Sequence, residues 1–484
     1  MSFIPFTGYA PDLDPATPGI ITDLVDYYPT AKGYGAAPSN FNSGFSALPT
    51  ACLGGALIQK LDGSSRLFVG TASALYEASS IPTYTDRSRV GGYSAGADHR
   101  WSFAQFGDTS LAAIKSNLLQ SSSTGAFADI AGAPKARFVE TVPGFVILAD
   151  TNEATYGDQS DRWWCSEYNN VNGWTPAVAT QCTTGRLIGS PGPIKGWKRL
   201  GDDIVAYKDR AIIVGRYVGS PAVFEFNQLP GDIGCSTNDA IVSIGSAHFF
   251  VGYEDFYLFD GSRPIAIGGP VKKTFFTDLN KQYRYKIVSL HDRINSLVMF
   301  FYPSTASTTG VNDSCICYNY KTDKWGKINR GAEAGLENLT GQITYANINS
   351  YFATYADINI TYDSPFWSQN YPVPTIFDTA HTMQTLTGVP GICSITTGVM
   401  GDDQTFTLLD RIRPRFSTAP TSATLTNYYR DTAGSSFTTD QTVTMDNGKC
   451  DLLRSSRWHK VKLNTVGTAE ISGLVVNLSS EGEE

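Results

Sequence analysis

Along this chain, short apolar runs alternate with clusters of glycine, aspartate, asparagine and serine, the pattern of antiparallel strands joined by tight turns. The runs come in groups. Leu67–Gly70 is followed by Ala74–Glu77, Ser110–Ile114 by Asn117–Gln120 and Ala126–Ile130, and Phe145–Leu148 by Arg162–Ser166. Ile204–Tyr207 precedes Ala211–Val214 and Val223–Phe226, and His248–Gly252 precedes Phe256–Phe259. Leu297–Tyr302 precedes Cys315–Tyr318, and Tyr351–Thr354 precedes Ile358–Thr361. The lead runs start near 67, 110, 145, 204, 248, 297 and 351, so 284 residues pass in six steps of about 47, close to the blade length of a β-propeller.

The predicted fold is therefore all-β: an irregular β-propeller of six or seven blades, with an additional β-rich module. Residues 51–370 carry the repeat. Residues 371–484 lose it and end in alternating strands such as Phe406–Ile412 and Trp458–Leu463, which read as a separate module. Residues 1–50 form an arm that joins this module or completes a blade. The same strand spacing fits a β-sandwich or several small β-domains, so those alternatives stay open. Val271–Asn280 is the best short-helix candidate.

Composition agrees with this reading. Aromatic residues make up 12% of 484 residues and charged residues 17%, favouring large half-buried β faces over a disordered chain. The eight cysteines are scattered without a C-x-x-C motif, as expected of buried free thiols in a reducing compartment. No basic, apolar leader opens the sequence and no 18-residue apolar run occurs, so neither a signal peptide nor a membrane-spanning segment is expected. The formal charge of −8 argues against a protein that grips DNA through a broad basic footprint.

Chemistry-bearing patterns are sparse. The five histidines, His99, His248, His291, His381 and His459, form no metal-binding spacing, and no Walker loop, dinucleotide fingerprint or nucleophile elbow is present. His248 opens an apolar strand and reads as a hydrogen-bonded core residue. Turn-borne acids such as Asp202, Asp203, Asp255, Asp260 and Asp323 leave room for a carboxylate pair of the glycosidase kind, although Asp260-Gly261 is first a hairpin signal. Two basic clusters break the acidic background. One holds Lys272, Lys273, Lys281, Arg284 and Lys286, the other Arg454, Arg457, Lys460 and Lys462. Interleaved with Tyr283, Tyr285 and Trp458, they are candidates for interface or DNA-channel contacts, against a plainer role in surface salt bridges.

Several segments in order resemble one family. They are Asp12–Gly19, Pro29–Ser39, Trp101–Asp108 with Phe106, Gly132–Ala136, Trp174–Gln181, His248–Gly261 with Asp255 and Asp260, Tyr283–Ile287, His291–Arg293 and Tyr318–Trp325. Over roughly residues 8–330 the chain resembles the tail nozzle proteins of short-tailed bacteriophages, also called tail tubular protein B or packaged-DNA stabilisation proteins. The resemblance implies a propeller platform in a homo-hexameric ring below the head–tail adaptor, with residues 371–484 as the candidate nozzle or fibre dock. Such a ring docks tail fibres or tailspikes, touches genomic double-stranded DNA transiently and non-specifically, and belongs to the virion after assembly in the host cytoplasm. It implies no catalytic residues, no cofactor and no enzyme activity. The rival expectations are a carbohydrate-binding or carbohydrate-hydrolysing propeller, and another phage tail component such as a distal-tail or baseplate protein.

Overall fold

In the computed structural model, residues 2–339 and 371–483 are described, with Ile348, Phe352, 354–358, Ile360 and Trp367 between them. Five four-stranded antiparallel sheets follow one another in the chain, at 54–86, 102–129, 135–186, 196–228 and 241–266. A further four-strand unit at 288–328 forms one end of a ten-stranded sheet. The last sheet is composite: Ala334–Leu339, Pro372–Phe377 and Met383–Gly388 are completed by Ser39–Asn42 from the start of the chain.

The first strands of these seven units pack side by side in sequence order, and Ala334–Leu339 returns to Gly54–Gln59. The ring is thereby closed as a β-propeller. Numbered in chain order, the 288–328 unit is blade 6 and the composite sheet is blade 7; the other five blades, like blade 7, are separate four-stranded sheets.

Burial explains which strands announce themselves in the sequence. The second strand of each blade lies between neighbouring blades on both faces, so it is largely apolar. Phe145–Ala149, His248–Val251 and Leu297–Tyr302 are buried at every position. The first strand lines the central channel and is only half covered, as in Gly54–Gln59 and Ser102–Phe106. The lead runs expected near 67, 110, 145, 204, 248 and 297 are thus the second strands of blades 1 to 6. The pair expected at 351–354 and 358–361 falls largely outside the described residues; the second strand of blade 7 is Pro372–Phe377.

Beside the ring stands a two-sheet β-sandwich built from both ends of the chain. One sheet runs Tyr27–Pro29, Tyr34–Ala36, Glu470–Glu483, Thr405–Thr418 and Cys450–Ser456, with Ser2–Pro5 also paired to Glu470–Glu483. The other runs Gly8–Tyr9, Ile20–Val25, Ile392–Thr397, Trp458–Val466, Ser422–Arg430 and Thr438–Thr444, with Met400–Gly401 on Trp458–Val466. Strand Trp458–Val466 alternates in burial, sending His459, Val461, Leu463 and Thr465 inward, as a sheet with one covered face requires.

Ring and sandwich are not separate units. Lys327 on the outer strand of blade 6 pairs with Tyr27, which makes blade 6 and the first sandwich sheet one ten-stranded sheet. One core cluster runs from Ile412, Leu425 and Leu463 through Tyr27 and Tyr34 to Trp325, Phe300 and Phe256. The boundaries expected at 50/51 and 370/371 both need correction, because blade 7 takes strands from 39–42 and from 372–388. The physical reason is closure: a ring of twisted sheets leaves open edges unless its last blade pairs the two ends of the chain. The arm therefore both joins the module and completes a blade.

The expected helix is present as Lys272–Asp278, between blades 5 and 6. All eight cysteines are free and buried. No helix among the described residues is long and apolar enough to cross a membrane.

Candidate functional site

The central channel is where the seven blades bring polar side chains together. At one mouth the first strands end. There Gln59, Glu140, Lys198, Arg199, Ser243, His291 and Glu337 surround a cavity of about 1040 Å³, with Arg293 in the turn after its strand. At the other mouth the first strands begin, and Arg100, Trp101, Asn238, Asp239 and Glu333 line a smaller space of about 180 Å³. Both share Gly55, Lys198, Ile241, Ser289 and Gly335, so they are two ends of one passage.

Two ion pairs face the larger cavity, each crossing a blade boundary. Lys198 Nζ of blade 4 lies 3.7 Å from Glu140 Oε1 of blade 3. Arg293 Nε of blade 6 lies 2.9 Å from Glu337 Oε2 of blade 7. Glu140 is enclosed by protein yet keeps 18% of its side chain in contact with solvent, as a channel-lining group does. Burial pushes the Glu140 carboxyl up, against the pull of Lys198 and Arg199. Burial likewise raises Glu337, opposed by Arg293 and reinforced by Asp292. His291 touches the Tyr320 hydroxyl at 3.2 Å, and burial with Arg293 beside it lowers its pKa to about 4. At neutral pH the mouth therefore presents a neutral imidazole together with two carboxylate–cation pairs.

The opposite mouth is held by neutral and paired contacts. Arg100 Nε lies 3.5 Å from Asp239 Oδ2, and Glu333 accepts from the Cys52 amide at 3.1 Å and contacts His381 Nδ1 at 2.9 Å. Trp101 donates its indole N–H to Thr71 O at 2.9 Å and meets Tyr93 edge-on at 4.9 Å. A Cβ on Gly70 would lie 2.2 Å from the Trp101 ring, so glycine there is a packing requirement.

The side chains singled out from the resembling segments hold blades together. Asp108 accepts from the Leu61 amide at 3.0 Å, tying the hairpin of blade 1 to that of blade 2, and Phe106 packs on the core beneath. Trp174 donates to Val171 O at 2.8 Å over the Cys182 and Trp164 cluster. Asp255 accepts from the Phe256 and Gly268 amides and pairs with Lys272 at 3.0 Å. Asp260 caps its own hairpin turn by accepting from Ser262, while Gly261 takes φ +95°. Trp325 packs against Phe256 with ring centres 4.6 Å apart and planes tilted by 51°, and it donates to Ile267 O at 3.1 Å.

The two basic clusters sit on different parts of the fold, and none of their candidate residues lines the channel. Lys273 offers its amide to Asp12, which fastens the arm to the short helix. Arg284 lies over the Tyr253 ring at 4.9 Å, and Lys286 over Tyr283 at 5.1 Å. On the sandwich, Arg454 lies over Tyr429 at 3.3 Å, Arg457 over Phe406 at 4.9 Å and Lys460 near Phe437 at 6.0 Å. Burial depresses Arg284 and Lys460, so both cations are partly withdrawn from solvent. His248 is hydrogen-bonded on both nitrogens, to the Tyr207 hydroxyl at 2.8 Å and Arg199 O at 2.9 Å, and burial lowers its pKa to about 4.

Sequence reasoning missed Glu140, Lys198, Arg199 and Glu337, whereas it singled out Arg293 only within the His291–Arg293 segment. The available signal was positional: each lies at the end of the half-polar strand just before, or in the turn leading into, an apolar run. Among the described residues no group of histidine, cysteine and acid side chains is arranged to hold a metal ion.

The class these features define is a β-propeller with an appended β-sandwich and a polar central channel. No family model matches the sequence, and no curated protein matches it. Among solved structures, YCF48 from Cyanidioschyzon merolae aligns at 10% identity over 73% of this chain and 99% of its own, with a TM-score of 0.38. YCF48 bound to D1 peptide aligns at 10% identity over 71% and 94%, also with a TM-score of 0.38. An exo-β-1,3-galactanase from Phanerochaete chrysosporium aligns at 9% identity over 81% and 98%, with a TM-score of 0.27. The propeller assignment stands on the closed ring of strands, and these likenesses bring no activity with them.

Proposed function

We propose that the protein is a structural subunit of a short-tailed bacteriophage tail, forming a hexameric nozzle below the head–tail adaptor that retains packaged DNA and conducts it at ejection. The ordered segments from Asp12–Gly19 to Tyr318–Trp325 motivate the reading. The observation that supports it is the fusion of ring and sandwich into one body by a ten-stranded sheet and a shared core. A ring of identical copies needs such a block, with two unlike surfaces that meet head to tail.

Exposed apolar groups offer one such surface. Tyr168 and Tyr217 flank Phe145 on blades 3 and 4, at ring distances of 5.3 and 5.4 Å, with Val218 half exposed beside Tyr217. In this reading the DNA conduit is the hole of the assembled ring, because the propeller's own channel is a cavity of small-ligand size. Negative-stain electron microscopy of the purified chain, alone and with its adaptor, tests the proposal. Six-fold rings with a central hole are expected; monomers under both conditions would contradict it.

A further inference from the structure

We infer that the larger mouth of the propeller channel is a binding site for a neutral, hydroxyl-rich ligand of the oligosaccharide class. The inference does not depend on the tail reading. It starts from the two ion pairs, Glu140–Lys198 and Arg293–Glu337, which sit three blade steps apart around one cavity. Each wall thus carries an acceptor-only carboxylate beside a donor-only cation.

This arrangement selects by elimination. An anion meets Glu140 and Glu337, and a cation meets Lys198, Arg199 and Arg293. An apolar ligand would strip water from five charged groups and return no hydrogen bonds. A hydroxyl group satisfies both members of a pair at once, donating to the carboxylate oxygen and accepting from the ammonium or guanidinium N–H. At 3.7 Å the Lys198–Glu140 pair is longer than a direct hydrogen bond, which leaves both groups able to turn to such a hydroxyl. Gln59 and Ser243 add further donors and acceptors at the same mouth.

The cavity, about 1040 Å³, has the size of a short oligosaccharide site. Among the described residues no phenylalanine, tyrosine or tryptophan ring lines it. A sugar would then be gripped by its hydroxyl edges without a stacking platform, and the expected affinity is weak, on the order of millimolar for one site.

The test is saturation-transfer NMR of the full chain against a panel of neutral and anionic oligosaccharides, with inorganic phosphate added as an anionic competitor. Neutral oligosaccharides should show transfer, and phosphate should leave that transfer unchanged. The Glu140→Ala/Glu337→Ala double variant should bind roughly tenfold more weakly or not at all, as loss of charged partners implies. Glu140→Gln and Glu337→Gln, checked by unchanged melting, give the same comparison with side-chain volume kept. Transfer to anionic oligosaccharides alone, no transfer to any oligosaccharide, displacement by phosphate, or binding unchanged in every variant would overturn the inference.

Discussion

The ring and the sandwich are made of the same kind of strand, yet they are assembled in opposite ways. Blades 1 to 6 each come from one continuous stretch of chain, and every strand pairs with its sequence neighbour. The sandwich interleaves residues 2–36 with 392–483, so that Ile20–Val25 pairs with Ile392–Thr397 and Tyr34–Ala36 with Glu470–Glu483. Blade 7 belongs to both schemes. Local pairing closes small loops at low entropic cost, whereas the sandwich must first bring the two ends of the chain together. The termini are therefore the parts on which the integrity of both halves depends.

Removing residues 1–42 is the harshest challenge to this view. The deletion takes the outer strand of blade 7, the link between blade 6 and Glu470–Glu483, and the edge of the second sandwich sheet. The truncated chain should show no cooperative melting by circular dichroism; a sharp transition close to that of the full chain would mean that the arm is accessory.

Within the shared core the effects are smaller but still large. Phe256 packs on Phe275 and Trp325 at 4.6 Å and on Phe300 at 5.6 Å, where ring and sandwich cores merge. Phe256→Ala should cost about 3–5 kcal/mol in urea unfolding. Phe3→Ala, at a 42% exposed position on the sandwich edge, should stay within about 0.5 kcal/mol. Equal losses would erase the distinction between the weld and the edge.

Acid should act chiefly through the ring. His248 is buried in blade 5 with a pKa near 4, below its ordinary value of 6.5. The unfolded chain takes up a proton there before the folded one does, so stability is fully present above about pH 6.5 and falls as pH drops toward 4. The contribution at stake is on the order of 3 kcal/mol. His248→Gln should flatten the slope of stability between pH 6.5 and 4, and an unchanged slope would place the acid sensitivity elsewhere.

The finest test concerns a single hydroxyl. Tyr34 accepts from the Tyr9 amide at 2.6 Å and donates to Trp325 O at 3.0 Å, joining arm, sandwich and blade 6. Tyr34→Phe keeps the ring in place but leaves a buried donor and a buried acceptor unpaired, with an expected loss of about 1–3 kcal/mol in the same unfolding assay.

How much of this was legible follows from burial. The second strands of blades 1 to 6 stand out because both faces are covered, as at Phe145–Ala149 and Leu297–Tyr302. The channel strands did not, since Ser102–Phe106 and Ala334–Leu339 are half-polar and short. With them went the candidate site, because Glu140, Lys198 and Glu337 all lie on channel strands. The conspicuous residues Trp101, Trp174, Asp255 and Trp325 are visible for packing and turn reasons, and they hold blades without facing the larger mouth. The composite blade was foreseen only as one of two fates for the arm, and which strands it pairs was illegible for a different reason. Ser39–Asn42 and Met383–Gly388 meet across more than three hundred residues, and no local pattern encodes that pairing.

Hydrogen–deuterium exchange under mildly destabilising conditions tests most directly whether ring and sandwich are one cooperative body. Amides in Tyr34–Ala36, Ser39–Asn42 and 470–476 should share the opening free energy of 145–148 and Leu297–Tyr302. Sandwich amides that open at a distinctly lower free energy while the blades stay protected would show two independent units and contradict the account.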